Sequence, residues 1–474
     1  YSFVTYSILY YPLAALLGIR LLAVASVATA ALAFTVVVAR QWGPAARWSN
    51  RSFAVVWAGT ILSGAFPFAL GTALALLAVW ALQAGSRARF ALLAALTVAA
   101  SPVAFLLLVV LLAGSAMGSR WSWRRLRAPA LTILAIGLVE LLLWRLFPAR
   151  GSFPFSPEEA AAASVFCLIG IVLTWRVAAA RGLRWIFVVY QGACLLAFAV
   201  PSALGENVAR LRFAAVPICV LALSLRRWRP LLPCLVALGL AMSWNLSSLA
   251  GSFVKGRSDP AAEAAFWAPT IAFLHEHLTP DYRVEAVDTV GHWPAEYLPA
   301  AGIPIVRGWF RQDDFPQNAV LYRKPGPASY VRWLRSLGVR YVVLPDAALD
   351  YSARHEAALL RSGRSGLTVA ARTASTTVYE VPSPARLVTG PGRARVAAFS
   401  NSSLTLSLGA PGRYRVATSW SPYWRSDRGC LARGADGMVV VSVARPGRVR
   451  LRFDVSATRA LAALKGTKAP ACAR

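Results

Sequence analysis

Four residues able to bind a polar group lie within one short stretch, residues 201–213, between two strongly apolar runs. They are Glu206, Asn207, Arg210 and Arg212. Charged side chains so close to hydrocarbon are costly unless they lie at the water interface or line a cavity. Glu206 and Arg210 also have the i, i+4 spacing that pairs side chains on an α-helix. The stretch predicts a binding site for a polar, anionic group at the rim of a membrane domain. An interfacial ion pair that fixes the loop is the alternative.

A second dense polar and aromatic stretch covers residues 307–318. Its candidate sugar ligands are Arg307, Trp309, Asp313, Asp314 and Asn318. An aromatic ring can stack on a sugar face, while carboxylate, amide and guanidinium groups hydrogen-bond its hydroxyls. Asp313 and Asp314 also offer the oxygen ligands that a divalent cation prefers. The alternative interpretation is that these adjacent acids are solvated turn residues.

Glu140 lies inside an apolar run, and an acid within a membrane segment is a functional candidate. A buried pair with an arginine on a neighbouring helix is the alternative. His275 and His277 lack the i, i+4 spacing of a zinc-binding helix, and His292 remains unassigned. We find no Ser-His-Asp or Cys-His arrangement, so the sequence assigns no catalytic residue.

The bulk composition excludes a single soluble domain. The chain has 474 residues, of which 57% are hydrophobic, and carries a net charge of +30. Up to about Gly251 there are 20 basic and four acidic residues, and beyond it there are 30 and 16. Most arginines of the first part lie in short clusters between apolar runs, as membrane orientation signals do. Nucleic-acid binding is therefore the weaker explanation of the charge.

The first part, residues 1–251, predicts a polytopic α-helical membrane domain with about ten crossings. Residues 18–38 are long enough to span a bilayer. Breaks at residues 64–67 and at Ser101-Pro102 divide two longer apolar runs into helical hairpins. Each arm of the second hairpin has roughly a dozen residues, or about 18 Å of helix. This is too short to cross a ~30 Å hydrocarbon core. Broken helices of this kind favour a cavity.

The arginine clusters fix the predicted sidedness of the chain. One such cluster consists of Arg120 and the arginines of residues 124–127, and it lies between two apolar runs. The positive-inside rule puts these clusters in the cytoplasm, so we expect residues 252–474 outside the cytoplasmic membrane. The chain begins at Tyr1 and not at Met, and we expect at least one span to precede it.

The second part divides into two predicted domains. Residues 252–383 alternate strand and helix signals, including strands at 283–290 and 303–306, and predict an α/β layer. No glycine-rich phosphate loop follows these strands. Residues 384–474 have the period of two typical of an antiparallel β-sandwich. Its exposed arginines could contact acidic glycans or lipid head groups, and a solvated basic face is the alternative. Cys430 and Cys472 could pair in an oxidising compartment.

Several motifs occur in order along most of the chain. They are residues 11–18, 66–71, 101–102, 205–210, 307–318, 330–334, 339–345 and 421–424. Together they resemble the glycosyltransferase-C-like membrane proteins of actinobacteria. The relatives of those proteins include the YfhO-type proteins and a family labelled 6-pyruvoyl-tetrahydropterin-synthase-related membrane proteins.

The resemblance implies a membrane enzyme that assembles cell-envelope glycans. It would take a sugar from a polyprenyl-phosphate-linked donor at the outer face of the cytoplasmic membrane and transfer it to an envelope glycan acceptor. In that family the catalytic acid usually lies in the first outer loop, which would precede this chain. No cofactor is implied beyond a divalent cation.

The chemistry of the candidate residues is compatible with this resemblance. Arg210 and Arg212 would hold the lipid phosphate, and Glu206, Asn207 and Glu140 would orient sugar or acceptor hydroxyls. Two other functions remain open. One is a transporter or flippase of envelope precursors, and the other is a non-catalytic membrane protein that binds a glycan or a partner.

Overall fold

The computed structural model of the chain describes residues 6–118, 123–148 and 151–464. These residues form two compact units, which divide between Arg257 and Ser258. The domain boundaries expected at residues 251 and 383 stay predictions. Tyr1, Arg120 and Cys472 lie outside the described residues. The predicted disulfide between Cys430 and Cys472 therefore also lies outside them.

The first unit is helical. Its α-helices are α1 (Tyr10–Leu17), α2 (Ile19–Trp42), α3 (Arg47–Val56), α4 (Phe66–Gln83), α5 (Arg87–Ala100), α6 (Pro102–Gly118), α7 (Trp123–Leu146), α8 (Pro157–Thr174), α9 (Arg181–Ala199), α10 (Ala215–Leu225) and α11 (Leu231–Ser258). A 3₁₀ helix, Gly205–Ala214, leads into α10.

Among the residues that the structure describes, seven helical segments are long and apolar enough to cross a membrane. The longest runs from Ile19 to Ser63, and the apolar α6 is shorter than the others. These segments indicate a multi-pass membrane protein. The number of crossings, about ten, stays a prediction.

Both predicted helix breaks are present. Gly64 has a φ of +67° between a 3₁₀ turn and α4, a left-handed conformation that glycine adopts without strain. Ser101 is extended between α5 and α6, as expected for a residue that precedes proline. Its hydroxyl accepts a hydrogen bond from the Ala104 amide at 3.3 Å. Because Gly71 has no side chain, α4 can approach this break closely.

The second unit begins with an α/β layer. Its helices are α12 (Ala264–His277), α13 (Pro294–Ala300), α14 (Pro327–Ser336) and α15 (Arg354–Arg361), and its strands are β1 (Arg283–Ala286), β2 (Val339–Pro345), β3 (Thr368–Arg372) and β4 (Thr376–Glu380). The sheet has the order β1-β2-β4-β3. β1 and β2 are parallel, and the other pairs are antiparallel.

Apolar residues bury both faces of this sheet. Trp267 and Leu274 of α12 pack with Val284 and Val343 on one face. Residues of α14 and α15 pack with Val342 on the other face. Alternation along β1 therefore directs Glu285, between Val284 and Ala286, toward the α14 and α15 face.

The strand predicted at residues 303–306 is not a full strand. Ile305 makes one parallel bridge to Val284, and the neighbouring Pro304 carbonyl accepts the Val284 amide at 2.9 Å. Proline has no N–H to donate to a ladder, so the segment pairs over a single residue. It still lies beside β1 with the same direction.

The C-terminal part contains the predicted antiparallel strands. They are β5 (Val388–Thr389), β6 (Ala394–Phe399), β7 (Ser403–Leu408), β8 (Gly412–Ser419), β9 (Trp424–Ser426), β10 (Cys430–Arg433), β11 (Met438–Val443) and β12 (Gly447–Phe453), followed by α16 (Ala457–Leu464). They form two four-stranded sheets, β10-β11-β8-β5 and β6-β7-β12-β9. Val449 and Leu451 point into an apolar core that both sheets share, while Arg448 and Arg450 are exposed.

Candidate functional site

A cavity of about 440 Å³ lies in the helical unit, lined by residues of α8, α9, α10 and α11 and by Glu206. Its lining follows α8 from Glu158 to Leu173, which corresponds to about 22 Å of helix. Ser156, Glu158 and Glu159 stand at the beginning of α8, and the residues toward its end are apolar. The cavity is therefore amphiphilic along its length, with acids at one end.

The acids are positioned by the first turn of α8. The Ser156 hydroxyl caps the helix by accepting a hydrogen bond from the Glu159 amide at 3.3 Å. Glu158 and Glu159 lie in the first turn, where the helix dipole favours negative charge. Ser156 and Glu159 have the spacing of a capping box. That pattern is visible in the sequence and could have identified this end of the cavity.

Glu159 is held by two donors. Arg212 Nη1 lies 3.0 Å from its Oε1 atom, and the Trp244 indole of α11 donates to the same atom at 2.9 Å. The second Arg212 contact, from Nη1 to Glu206 Oε1, is longer at 3.5 Å. Arg212 Nε is buried and has no hydrogen-bond partner within the described ranges. Two carboxylates, Glu159 and Glu206, thus share one guanidinium group.

The predicted pair of Glu206 and Arg210 is absent, and this expectation is wrong. Both residues lie on a 3₁₀ helix, which has three residues per turn. Residues six apart, such as Glu206 and Arg212, therefore align, and residues four apart do not. An ion pair is nevertheless present in this segment, with Arg212 as the basic partner of Glu206 at 3.5 Å.

Of the residues predicted from the sequence, Glu206 lines the cavity, whereas Asn207, Arg210, Arg212 and Glu140 do not. The Arg210 guanidinium lies 5.3 Å from the centroid of the Phe68 ring, a cation–π contact. Arg210 and Arg212 thus contact different partners. Asn207 lies on the same 3₁₀ helix, where its amide donates to the Leu204 carbonyl at 2.9 Å. Glu140 lies on α7 and has no ion-pair partner within the part of the chain that the structure describes.

A buried ionic network occupies the α/β layer of the second unit. Arg307 Nε lies 3.0 Å from Glu285 Oε1, and its terminal nitrogens lie 3.6 Å from Asp314 and 3.6 Å from Glu356. Burial opposes the charge of Arg307, but the surrounding carboxylates, Glu285 foremost, raise its pKa above the ordinary value. Burial raises the pKa of Glu285 well above its usual range and also raises the pKa of Glu356.

The stretch of residues 307–318 supplies part of this network. Asp314 accepts hydrogen bonds from Asn318 at 3.0 Å and from Tyr322 at 2.6 Å, and Arg311 Nη1 lies 3.3 Å from it. The structure thus brings Arg307, Asp314 and Asn318 together as internal partners. Trp309 and Asp313 are exposed and belong to the surface. Asp313 and Asp314 face different environments, which argues against the two as one cation site.

Three residues at one edge of the same sheet have the donor types of a metal site. One ligand atom each from Asp288, His292 and Asp350 lies within 4.8 Å of the others. Asp288 follows β1 and Asp350 follows β2. Because the carboxyl ends of parallel strands meet at one edge of a sheet, distant parts of the chain converge here. This set is not recognisable from the sequence, since the spacing of its members has no local motif.

No protein-family model matches the chain, and no curated protein matches it. Solved structures with some similarity include a mutant of the arabinofuranosyltransferase AftD from mycobacteria, at 18% identity and a TM-score of 0.40. That match covers 87% of this chain, which spans only 38% of the AftD chain. ArnT from Cupriavidus metallidurans matches at 15% identity and a TM-score of 0.33, over 77% of this chain and 85% of ArnT. At these identities and scores the likeness assigns no family or activity to this chain.

Proposed function

We propose that the chain is a membrane glycosyltransferase-like protein that holds a lipid-linked sugar in the cavity along α8. The amphiphilic lining of this cavity is the observation that carries the proposal. The carboxylates of Glu158 and Glu206 can accept hydrogen bonds from sugar hydroxyls. The apolar lining toward Leu173 suits a hydrocarbon chain. The order of motifs that resemble the glycosyltransferase-C-like proteins agrees with this function.

Arg212 is the residue that we expect to bind the phosphate of a polyprenyl-phosphate-linked donor. Its Nη1 contact to Glu206 is long, at 3.5 Å, and its buried Nε has no partner within the described residues. Arg212 is not itself among the residues that line the cavity, so a phosphate at the acidic end would reach this guanidinium group by displacing the longer Glu206 contact while Nη1 keeps Glu159. A guanidinium group suits this role because it offers several donors in a fixed plane. Arg210 also has a buried terminal nitrogen without a hydrogen-bond partner within the described residues, but it lies over the Phe68 ring and is not among the residues that line the cavity.

The acidic end of the cavity is proposed to face the outer side of the cytoplasmic membrane. Arg184 and Arg226 donate to carbonyls at the other end of α8, with Arg226 Nη1 at 3.1 Å from the Leu173 oxygen. Basic residues thus gather where α8 ends, and acids gather where it begins. The positive-inside rule puts the basic end in the cytoplasm. An envelope glycan acceptor would then approach from outside.

A binding assay with the full-length protein in nanodiscs tests the proposal. The probes are fluorescent polyprenyl-phosphate-linked pentoses and hexoses, and the variant is Arg212→Gln. We expect Arg212→Gln to weaken binding by about tenfold, the effect of about 1.4 kcal/mol. Arg176→Gln is the matched control, since Arg176 is an exposed arginine just beyond the other end of α8. Equal affinity in the two variants would remove the cavity as the donor site.

A transporter or flippase of envelope precursors is the second candidate. The observation in its favour is that the cavity lining continues along α8 from Glu158 to Leu173. Proteoliposomes separate the two functions. Sugar transfer to an acceptor without movement of the lipid between leaflets favours the transferase, and lipid movement without transfer favours the flippase.

A further inference from the structure

The carboxyl edge of the α/β sheet in the second unit carries an unexplained set of donors. Asp288, His292 and Asp350 offer two carboxylate oxygens and one imidazole nitrogen, all within 4.8 Å of one another. Ligand atoms that bind one ion at 2.0–2.4 Å are separated by no more than about 4.8 Å. The set can therefore surround a single cation. The set belongs to the second unit, whereas the cavity belongs to the helical unit.

The buried charges around this edge do not balance. Within the described chain the network contains five buried carboxylates and two buried guanidinium groups: Glu285, Asp288, Asp314, Asp350 and Glu356 against Arg307 and Arg311. Buried charges are costly unless they are compensated. Even with both glutamates protonated, three aspartates would face two arginines. His292, whose Nδ1 atom lies 2.5 Å from Asp288 Oδ2, supplies a positive charge only in its protonated form, and a bound cation would supply one with the imidazole neutral.

Asp350 caps the short 3₁₀ helix Tyr351–Ala353 at this edge. Asp350 is 9% exposed. Its Oδ1 atom accepts hydrogen bonds from the Ser352 amide at 3.0 Å and from the Ser352 hydroxyl at 2.6 Å. No arginine or lysine pairs with it among the described residues. Asp288 differs, because Arg311 Nη2 lies 2.8 Å from its Oδ2 atom. Asp350 is thus a carboxylate without an arginine or lysine partner among the described residues, and its ligand atom lies within 4.8 Å of those of Asp288 and His292.

We propose that Asp288, His292 and Asp350 bind one divalent transition-metal cation, of the kind of Zn²⁺ or Mn²⁺. The imidazole nitrogen selects these ions over Ca²⁺ and Mg²⁺, which prefer oxygen ligands alone. The His292 side chain is partly exposed, at 29%, which gives an ion access from solvent. The cation supplies the charge that Asp350 lacks and ties the loop after β1 to the loop after β2. This proposal does not depend on the function of the helical unit.

Metal analysis of the full-length protein tests the site. The protein, purified without a polyhistidine tag, is stripped with EDTA and dialysed in parallel against Zn²⁺, Mn²⁺ and Ca²⁺. Bound metal is then measured by mass spectrometry, and thermal unfolding of the second unit is followed with and without each ion. We expect about one Zn²⁺ or Mn²⁺ per chain and a higher unfolding temperature with that ion.

Two variants and one control make the result specific. His292→Gln and Asp350→Asn are each expected to lower the affinity at least tenfold. Asparagine can keep the hydrogen bonds to Ser352, and circular dichroism checks that both variants fold. Asp346→Asn, an exposed acid in the loop that precedes Asp350, is expected to bind as the wild type does. Failure of the wild type to bind, undiminished binding in both variants, or binding of Ca²⁺ in preference to Zn²⁺ and Mn²⁺ would overturn the proposal.

Discussion

Buried acids control the chemistry of the α/β layer at the scale of single residues. Glu285 is fully buried, and burial raises its pKa well above the usual range, against the opposing charge of Arg307. The folded state therefore favours the protonated acid more than the unfolded chain does. The stability from this group is fully present below the unfolded pKa and is lost as the pH rises through the raised folded pKa.

This linkage predicts a pH-dependent stability. In the presence of EDTA, the unfolding temperature of the second unit should fall as the pH rises from about 4.5, and Glu285→Gln should reduce that fall. Thermal unfolding followed by circular dichroism between pH 4.5 and 9 measures both slopes. Glu276→Gln is the control because Glu276 is a highly exposed acid, at 78%. A slope that is the same in Glu285→Gln and in the wild type would contradict the linkage.

Removal of Arg307 should be far more costly than removal of a surface arginine. Arg307→Ala leaves Glu285, Asp314 and Glu356 without their shared cation, and we expect a loss of about 3–5 kcal/mol in the free energy of unfolding. Arg340→Ala breaks a more exposed pair with Glu380 and should cost about 0–1 kcal/mol. Urea unfolding of both variants provides the test. Comparable losses in the two would show that the network carries no special stability.

The sequence identifies these residues without revealing what they contact. The composition of residues 307–318 predicts sugar ligands there, and this role stays a prediction, while the structure shows Arg307, Asp314 and Asn318 as partners of one another. Their other partners, Glu285 and Glu356, come from a strand and a helix elsewhere in the chain, and no spacing rule connects them. The same limit applies to Asp288, His292 and Asp350, which only the parallel pairing of β1 and β2 brings together.

Small residues determine how closely helices of the first unit pack. A Cβ atom added at Gly71 of α4 would lie 2.8 Å from the Cβ atoms of Ser101 and Ala104. Gly71→Val should therefore destabilise the helical unit by about 1–3 kcal/mol, as overpacking does. Thermal unfolding in detergent measures the effect. At Gly137 of α7 the added atom would meet nothing within 4 Å, so Gly137→Val is the control, and equal stability of the two variants would contradict the packing.

Local sequence signals predict element ends better than element types. Gly64, Pro67 and Pro102 mark the two helix breaks because their backbone preferences act locally. The 3₁₀ helix Gly205–Ala214 is not predicted, since its residues are compatible with an α-helix. This difference in period changes the partner of Glu206 from Arg210 to Arg212. The partner of Glu206 is thus predicted wrongly because this segment is a 3₁₀ helix and not an α-helix.

The distribution of charge along the whole molecule supports one orientation in the membrane. The helical unit has arginines at one end of α8 and acids at the other, and residues 252–474 carry the remaining mixed charges. From this pattern we infer that the second unit lies outside the cytoplasmic membrane. Several long apolar helices are recognisable from composition alone, whereas sidedness depends on every crossing being counted correctly.

Side-specific labelling tests this orientation. Arg448→Cys puts a thiol on the exposed face of β12, and Arg176→Cys puts one at the basic end of α8. In intact cells a membrane-impermeant maleimide should label Arg448→Cys above the background of the unsubstituted chain and leave Arg176→Cys unlabelled. Labelling of both positions after lysis is the control. The reverse pattern in intact cells would contradict the orientation.

Photo-crosslinking tests the central claim, that a lipid-linked sugar occupies the cavity along α8. A polyprenyl-phosphate-linked sugar with a diazirine in its first isoprene units is irradiated with the protein in nanodiscs, and labelled peptides are identified by mass spectrometry. We expect labels on α8 and α11, around Phe166 and Leu240, which an excess of unlabelled donor prevents. Labels spread over lipid-facing helices such as α7, unchanged by that competitor, would contradict it.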